Sequence, residues 1–146
     1  MTYLEMEDFL LEKLEPLRAA AGLRALTTYG GEFSPDSFGQ VTVVFPAVYI
    51  YLSGLRSAGR NRLDERDQGC TVMVAARNLR GEPAARRGAA GETGVYALFE
   101  GVRAHLNRLP LAGGLLRLAE ERVVGYSARL GLCVGQADYR LKYRTD

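Results

Sequence analysis

The residues of this sequence whose type and spacing could do chemistry are its arginines. All but two of the 19 basic residues are arginine, the exceptions being Lys13 and Lys142. A guanidinium group binds phosphate or carboxylate through paired hydrogen bonds. The codon composition of a GC-rich genome explains the arginine bias equally well. The candidate contact residues form two clusters, which are Arg56, Arg60, Arg62 and Arg66, and Arg77, Arg80, Arg86 and Arg87.

These clusters have three interpretations. Arginines presented together are sufficient for phosphate binding, so the clusters could line a path for nucleic acid. They could also form contacts between subunits, where arginine is enriched. The simplest interpretation is salt-bridged surface loops, because Asp64, Glu65 and Asp67 nearly balance the first cluster and no aromatic residues are interleaved as stacking platforms. The charge pattern leaves all three open.

No motif indicates an enzyme. The glycines at positions 88, 91 and 94 follow a stretch of helix and strand breakers rather than a strand, so they match a phosphate-binding loop only weakly. One histidine, His105, and two widely spaced cysteines, Cys70 and Cys133, do not form a metal-binding pattern. We therefore expect no catalytic residues, no cofactor and no bound metal.

Length and composition predict one soluble domain. The chain has 146 residues, of which 47% are hydrophobic, and this size and composition are enough to bury a core. Its net charge is +2. Its longest apolar run, residues 41–55, is interrupted by Pro46 and is too short to cross a membrane. The acidic N-terminus does not resemble a signal peptide. We expect a protein of the cytoplasm whose two cysteines are buried and reduced.

A central strand organises the prediction. Ala47 to Leu55 is apolar, β-branched and aromatic, and Pro46 can precede a strand but not lie in its middle. Because side chains alternate along a strand, Val48, Ile50 and Leu52 should face the core. The opposite face carries tyrosines and could lie under a helix or against another subunit.

The remaining elements predict an α+β fold, with an antiparallel or mixed sheet and two principal helices packed on it. Apolar spacing indicates helices over residues 3–21, perturbed by Pro16, and 94–109, closed by Pro110. Ser34-Pro35 is typical of a short helix start. The further strands are predicted at 23–29, 69–76, 115–124, 126–135 and 139–143. Residues 56–67 are predicted to form an exposed loop or the tips of a hairpin, and residues 78–93 a loop.

Five short motifs follow one another in a fixed order along about residues 10–109. They are Leu14-x-x-Leu17, Thr28-Tyr29-Gly30-Gly31-Glu32-Phe33, Phe45-Pro46-Ala47-Val48, Arg86-Arg87-Gly88 and Gly94-Val95-Tyr96-Ala97-Leu98. In this order they resemble the Mu-like prophage proteins described as domains of unknown function or as tail completion proteins.

This resemblance implies a structural protein of a contractile phage tail, similar to tail terminators. Such proteins are small α+β domains that form a hexameric ring on the end of the tail tube, stop its polymerisation and offer a surface for head attachment. The implied partners are further copies of the chain, the tail tube and sheath proteins, head-completion proteins and, transiently, DNA in the ring lumen, with no membrane. The implied location is the host cytoplasm during assembly and then the virion tail.

Two hypotheses follow. In the first, the chain closes a ring, which needs two different contact patches on each subunit. The arginine loops and a sheet edge are the candidates. In the second, the chain is a DNA-binding or packaging accessory protein that uses the same arginines against phosphates.

Overall fold

A six-stranded sheet with its helices against one face forms the framework of the molecule. A computed structural model describes residues 1–33, 44–57 and 65–144. The helices are α1 (Tyr3–Leu14), α2 (Leu17–Ala20), α3 (Glu82–Arg87) and α4 (Val95–Leu106), and the strands are β1 (Ala25–Thr28), β2 (Ala47–Ser57), β3 (Glu65–Arg77), β4 (Leu109–Leu111), β5 (Gly114–Ser127) and β6 (Leu132–Arg144). The strand order is β1-β2-β3-β6-β5-β4. Only the β1–β2 pair is parallel among these strands, which confirms the predicted α+β fold with a mixed sheet.

The N-terminal helix begins and ends where its sequence dictates. Thr2 caps α1: its hydroxyl accepts the backbone N–H of Glu5, and the Glu5 carboxylate accepts that of Thr2. Pro16 separates α1 from the single turn of α2, which is how it perturbs the helix predicted over residues 3–21. Gly22 then takes a positive φ of 65°, which favours glycine and ends the helical segment.

The central strand starts at Ala47, as predicted, and runs on to Ser57, past the predicted end at Leu55. Val48 and Ile50 are fully buried beneath the helices. On the opposite face, Tyr49 packs against Tyr29 and Phe33 of the same chain. The apolar part of the tyrosine face is therefore covered by the segment that follows β1.

The core lies between the sheet and the helices. Alternate residues of β3, among them Cys70, Val72 and Val74, are buried there as predicted. Leu98 and Val102 of α4 are fully buried against them. A smaller apolar cluster on the other face contains no helix residue. We call the sheet surface on which the helices pack the helix face.

Two predicted boundaries around the second principal helix are wrong. Residues 78–93 were predicted as a loop, yet they contain α3, which fits between Gly81 and Gly88, both at positive φ. The predicted end of α4 at Leu109 is also wrong, because the helix ends at Leu106 and Pro110 lies within β4. An edge strand tolerates this proline, which has no N–H to donate.

The last third forms two long strands rather than the three that were predicted. The predicted strand over residues 126–135 is interrupted by a turn, so β5 ends at Ser127 and β6 begins at Leu132. Gly125 does not end a strand but lies at a bulge inside β5. Gly135 lies within β6, where a Cβ would collide with the ring of Phe99. The predicted helix start at Ser34 lies outside the described residues.

Candidate functional site

The sheet places the two predicted arginine clusters at its opposite ends. Arg66 is the second residue of β3 and Arg77 is its last. A rise of about 3.3 Å per residue puts them roughly 36 Å apart. Arg60 and Arg62 lie outside the described residues. Of the two alternatives predicted for their segment, an exposed loop or the tips of a hairpin, Arg56 and Arg66 fit the hairpin, since they lie in β2 and β3, which pair antiparallel as far as Ser57 and Arg66.

At the first end, Arg56 and Arg66 line a cleft of ≈ 750 Å³ together with Lys142 and Arg144 of β6. Arginines of β6 engage the acidic residues here. Arg144 lies 3.3 Å from a Glu65 carboxylate oxygen and Arg140 lies 3.0 Å from one of Asp67. The acids expected to balance the first cluster are thus partly neutralised by residues that the sequence analysis did not consider.

At the second end, Arg77 and Arg80 line a cleft of ≈ 480 Å³ together with Arg24, which the sequence analysis missed. All three side chains are exposed. The buried Asn78 positions Arg80: its Oδ1 accepts the backbone N–H of Arg80 at 3.0 Å, and its Nδ2 donates to the carbonyl of Ala89 at 3.2 Å. Arg24 precedes β1, whose parallel pairing with β2 could not be read from local sequence patterns.

The last two predicted residues lie on α3 and not in a loop. Arg86 forms an ion pair with Glu82 at 3.1 Å, one turn earlier on the same helix. Arg87 is exposed. Neither residue lines the cleft that holds Arg77 and Arg80.

A second group of polar side chains lies on the sheet surface opposite the helix face. We call it the open face, because no helix packs on it in the described part of the chain. Thr71 donates a 2.9 Å hydrogen bond to Asp138, and Arg122 lies 3.9 Å from the same carboxyl group. Besides the apolar cluster around Tyr49, the open face carries the polar residues Arg56, Glu65, Asp67, Thr71, Arg117, Glu120, Arg122, Gln136, Asp138, Arg140, Lys142 and Arg144.

One pair on the open face is electrostatically unfavourable. Arg117 of β5 lies directly opposite Arg140 of β6, and like charges in such cross-strand positions destabilise a sheet. Asp67 offsets part of the repulsion by binding Arg140. Arg117 is exposed, so its guanidinium is presented to solvent at this surface.

A signal for the open face was present in the sequence. From Ala137 to Tyr143, buried or half-buried residues alternate with Asp138, Arg140 and Lys142, the period of a strand with one polar face.

Glu120 is on the open face, and the next residue, Glu121, is on the helix face. There, Arg103 of α4 donates two hydrogen bonds to the Glu121 carboxylate, at 2.6 and 3.1 Å.

The other titratable groups are in structural environments. Cys70 and Cys133 are free and buried, as predicted, and burial raises the pKa of Cys70 to about 12, so its thiol stays protonated at neutral pH. The ring Nδ1 of His105 lies 2.8 Å from the Gly101 carbonyl, within its own helix. In the described residues, no three His, Cys, Asp or Glu side chains are grouped to hold a metal ion. The surface of the described residues does present guanidinium groups, which can bind anions and carboxylates.

No described helix is long and apolar enough to span a membrane. A comparison with curated proteins finds no match. The family described as Bacteriophage Mu, Gp37 matches residues 3–143, nearly the whole chain, and confirms the resemblance to Mu-like phage proteins. Such a match indicates a structural protein of a phage. The chain belongs to the bacteriophage Mu Gp37 family.

Proposed function

We propose that this protein is a tail terminator or tail completion protein, which forms a ring of six subunits on the end of a contractile tail tube and contributes to head–tail joining. The observation that carries the proposal is the match of residues 3–143 to a Mu-phage family. Its partners are further copies of itself, the tube and sheath proteins and the head-completion proteins.

The separation of the two clefts supports this role. A protein that joins a tube to a head must present different surfaces in opposite directions. The cleft with Arg56 and Arg66 and the cleft with Arg77 and Arg80 lie at opposite ends of β3, roughly 36 Å apart. Arginine is enriched in protein interfaces because its planar group forms several directed hydrogen bonds.

The direct test is assembly of tails from the cognate tube and sheath proteins, with and without this protein, scored by negative-stain electron microscopy. We expect overgrown tails of variable length in its absence. In its presence, tails should stop at a uniform length and end in a ring. Indistinguishable lengths and ends in the two samples would contradict the proposal.

The arginines of α3 provide a more local test. Reversing both charges, with Arg86→Glu and Arg87→Glu, should weaken ring formation while the fold stays intact. Because Arg86 also binds Glu82, Arg87→Glu alone is the matched variant that leaves the ion pair in place. Circular dichroism reports the fold and electron microscopy the rings. Unchanged ring formation in the double variant would remove α3 from the interface.

A second candidate function is DNA binding in virion assembly or packaging. The open face favours it, because exposed arginines such as Arg117 and Arg122 lie on a surface without a helix among the described residues. Binding of arginines to phosphates releases the counterions of the DNA, and added salt opposes this release. Affinity for duplex DNA should therefore fall steeply as the salt concentration is raised. A fluorescence titration at low ionic strength that detects no binding would exclude this candidate.

A further inference from the structure

Two strands of the sheet have edges that are only partly paired. β1 pairs β2 through residues 47–50, and β4 pairs β5 through residues 114–116. The backbone N–H of Leu118 is then bonded by the side chain of Asn107 at 2.9 Å. Within the described residues, no strand pairs the outer edge of β2 from residue 52 to 57 or that of β5 from 119 to 127. An unpaired edge is a template for another strand.

We propose that the open edge of β2 in one subunit pairs with the open edge of β5 in the next. The partner is a second copy of this chain, and the inference rests on the proposed ring. The contact is heterologous, because β2 and β5 are different patches of the same subunit, as closure of a cyclic ring requires. It identifies the sheet edges as the primary interface.

The strand directions favour this join. β2 is antiparallel to β3, β3 to β6 and β6 to β5, so β2 and β5 run in opposite directions. When neighbouring subunits have the same orientation, the β2 edge of one therefore meets the β5 edge of the next in antiparallel alignment. Antiparallel pairing is slightly more stable per residue than parallel pairing.

The two edges offer regular stretches of equal length. β2 has a bulge between Leu52 and Gly54 and is regular from Gly54 to Ser57. β5 has bulges between Leu118 and Glu120 and between Val123 and Gly125, which leave residues 120–123 regular. Because bulges disrupt a ladder and limit pairing, each edge presents four residues in register.

Side-chain direction and charge select the register. Arg56 lies directly across from Asp67 on the neighbouring strand, and Glu120 lies directly across from Asp138, and all four side chains are on the open face. If the open face and the helix face each continue from one subunit to the next, Arg56 must lie opposite a residue of β5 that is also on the open face. In the regular stretch of β5, those residues are Glu120 and Arg122. Opposite charges stabilise a cross-strand pair and like charges destabilise it. The selected register therefore places Arg56 opposite Glu120 of the neighbouring subunit and opposes three of the four regular residues on each edge, 54–56 and 120–122. Because β1 already pairs residues 47–50 of β2, the end of the neighbour's β5 must bend away from the edge at its bulge between Val123 and Gly125.

Apolar side chains match on the helix face. Beside the β2 edge is a groove of ≈ 360 Å³ lined by Tyr3, Leu4 and Leu55, which are 56%, 70% and 40% exposed. On the β5 edge, Val123 points to this same face and is 37% exposed. In the selected register Val123 of one subunit lies next to this groove of its neighbour. Burial of these side chains supplies an apolar contact beside the charged pair.

Disulfide cross-linking in assembled tails tests the proposal. Directly opposed residues of antiparallel strands have Cα atoms about 4.5 to 5.5 Å apart, within the range of a disulfide. The variant combines Arg56→Cys with Glu120→Cys, while Cys70 and Cys133 stay buried. Mild oxidation should give a ladder of covalent multimers on non-reducing gels. The control combines Glu120→Cys with Arg18→Cys, an exposed arginine on α2, and should give no ladder.

The outcomes separate this proposal from the proposed function. Terminal rings without a ladder would overturn edge pairing and leave the terminator function standing. Tails without terminal rings would overturn the function, and the interface with it. A ladder formed by Arg56→Cys with Arg122→Cys, and not with Glu120→Cys, would overturn the selected register.

A charge exchange adds a second readout. Arg56→Glu and Glu120→Arg should each raise the concentration needed for ring formation about 5-fold, because each places like charges opposite one another. The double variant restores the opposite pair and should return to within about 2-fold of the unmodified protein. Failure of the double variant to recover, with an intact fold, would contradict the pairing of these two residues.

Discussion

The two faces of the sheet differ in what covers them. On the helix face, β3 and β6 contribute buried apolar side chains beneath α1 and α4. On the open face, the same two strands present polar residues such as Thr71, Asp138 and Arg140, joined by hydrogen bonds and ion pairs. The comparison indicates that the helix face holds the larger buried core, whereas the open face combines a smaller apolar cluster around Tyr49 with a polar surface that no helix covers in the described part of the chain.

The largest expected effect separates the two faces by their contribution to stability. Leu98→Ala removes a fully buried side chain from the helix face and should lower the free energy of unfolding by about 2 to 5 kcal/mol. Arg140→Ala on the open face removes a partly exposed ion pair with Asp67 and should cost less than about 1 kcal/mol. Urea denaturation of both variants measures the difference, and equal losses would contradict the comparison.

The second prediction concerns the exclusion of solvent from the core beneath the helix face. Burial raises the pKa of Cys70 to about 12, well above the ordinary range of a thiol, and it also raises the pKa of Cys133. The Cys70 thiol ionises first in the unfolded chain, so its stabilisation is complete below the pKa of a free thiol, about 8.5, and is lost as pH rises towards 12. Stability should fall by up to about 1.4 kcal/mol per pH unit over this range because of Cys70.

Denaturation at pH 8, 9 and 10 tests this slope, with Cys70→Ala as the matched variant. The variant should show a shallower decline over this range. A slope unchanged by Cys70→Ala would mean that the thiol is accessible to solvent and that the helix face is less dry than the structure indicates.

The third prediction concerns the open face. Arg117→Glu replaces a like-charge pair with Arg140 by an opposite-charge pair, so stability should be unchanged or rise by up to about 1 kcal/mol. If DNA or a partner binds this face, the same variant should bind more weakly. Thermal denaturation and the DNA titration report the two effects separately. A destabilised Arg117→Glu protein would show that the open face also contributes to folding.

The smallest expected effect concerns a hydroxyl group on the helix face. Tyr139 is fully buried, and its hydroxyl has no hydrogen-bond partner in the described structure. Because an unsatisfied buried hydroxyl is unfavourable, Tyr139→Phe should leave stability unchanged or raise it by about 1 kcal/mol. A clear loss in urea denaturation would reveal a partner for the hydroxyl, such as an ordered water molecule.

The helix face could be predicted from the sequence because apolar periodicity reports burial. The stripe containing Met6, Leu10 and Leu14 and the start of β2 at Ala47 followed from spacing and from Pro46. The predicted strand boundaries were wrong where polar residues occur inside strands. Arg56 and Arg66 lie in β2 and β3 because pairing with neighbouring strands holds them there.

The candidate contact surfaces were only partly predictable. Arg77 and Arg80 were identified, but Arg24 joins them through a parallel pairing that local patterns do not encode. Glycines were misread in both directions: Gly81 and Gly88 border a helix, while Gly135 lies inside a strand because Phe99 fills the space above it. Arg117 and Arg140 fall within the predicted strands 115–124 and 139–143, but they were missed because the pairing of β5 with β6, which brings them together, is not encoded in local patterns.

The measurement that tests the central claim most directly is a cryo-electron microscopy reconstruction of the tail end assembled with this protein. We predict a closed terminal ring in which the sheet continues across each subunit boundary, with a strand spacing of about 4.8 Å and Arg56 opposite Glu120. A tail end that lacks this protein would contradict the proposed function. A ring whose subunits meet through their helices would contradict the edge pairing.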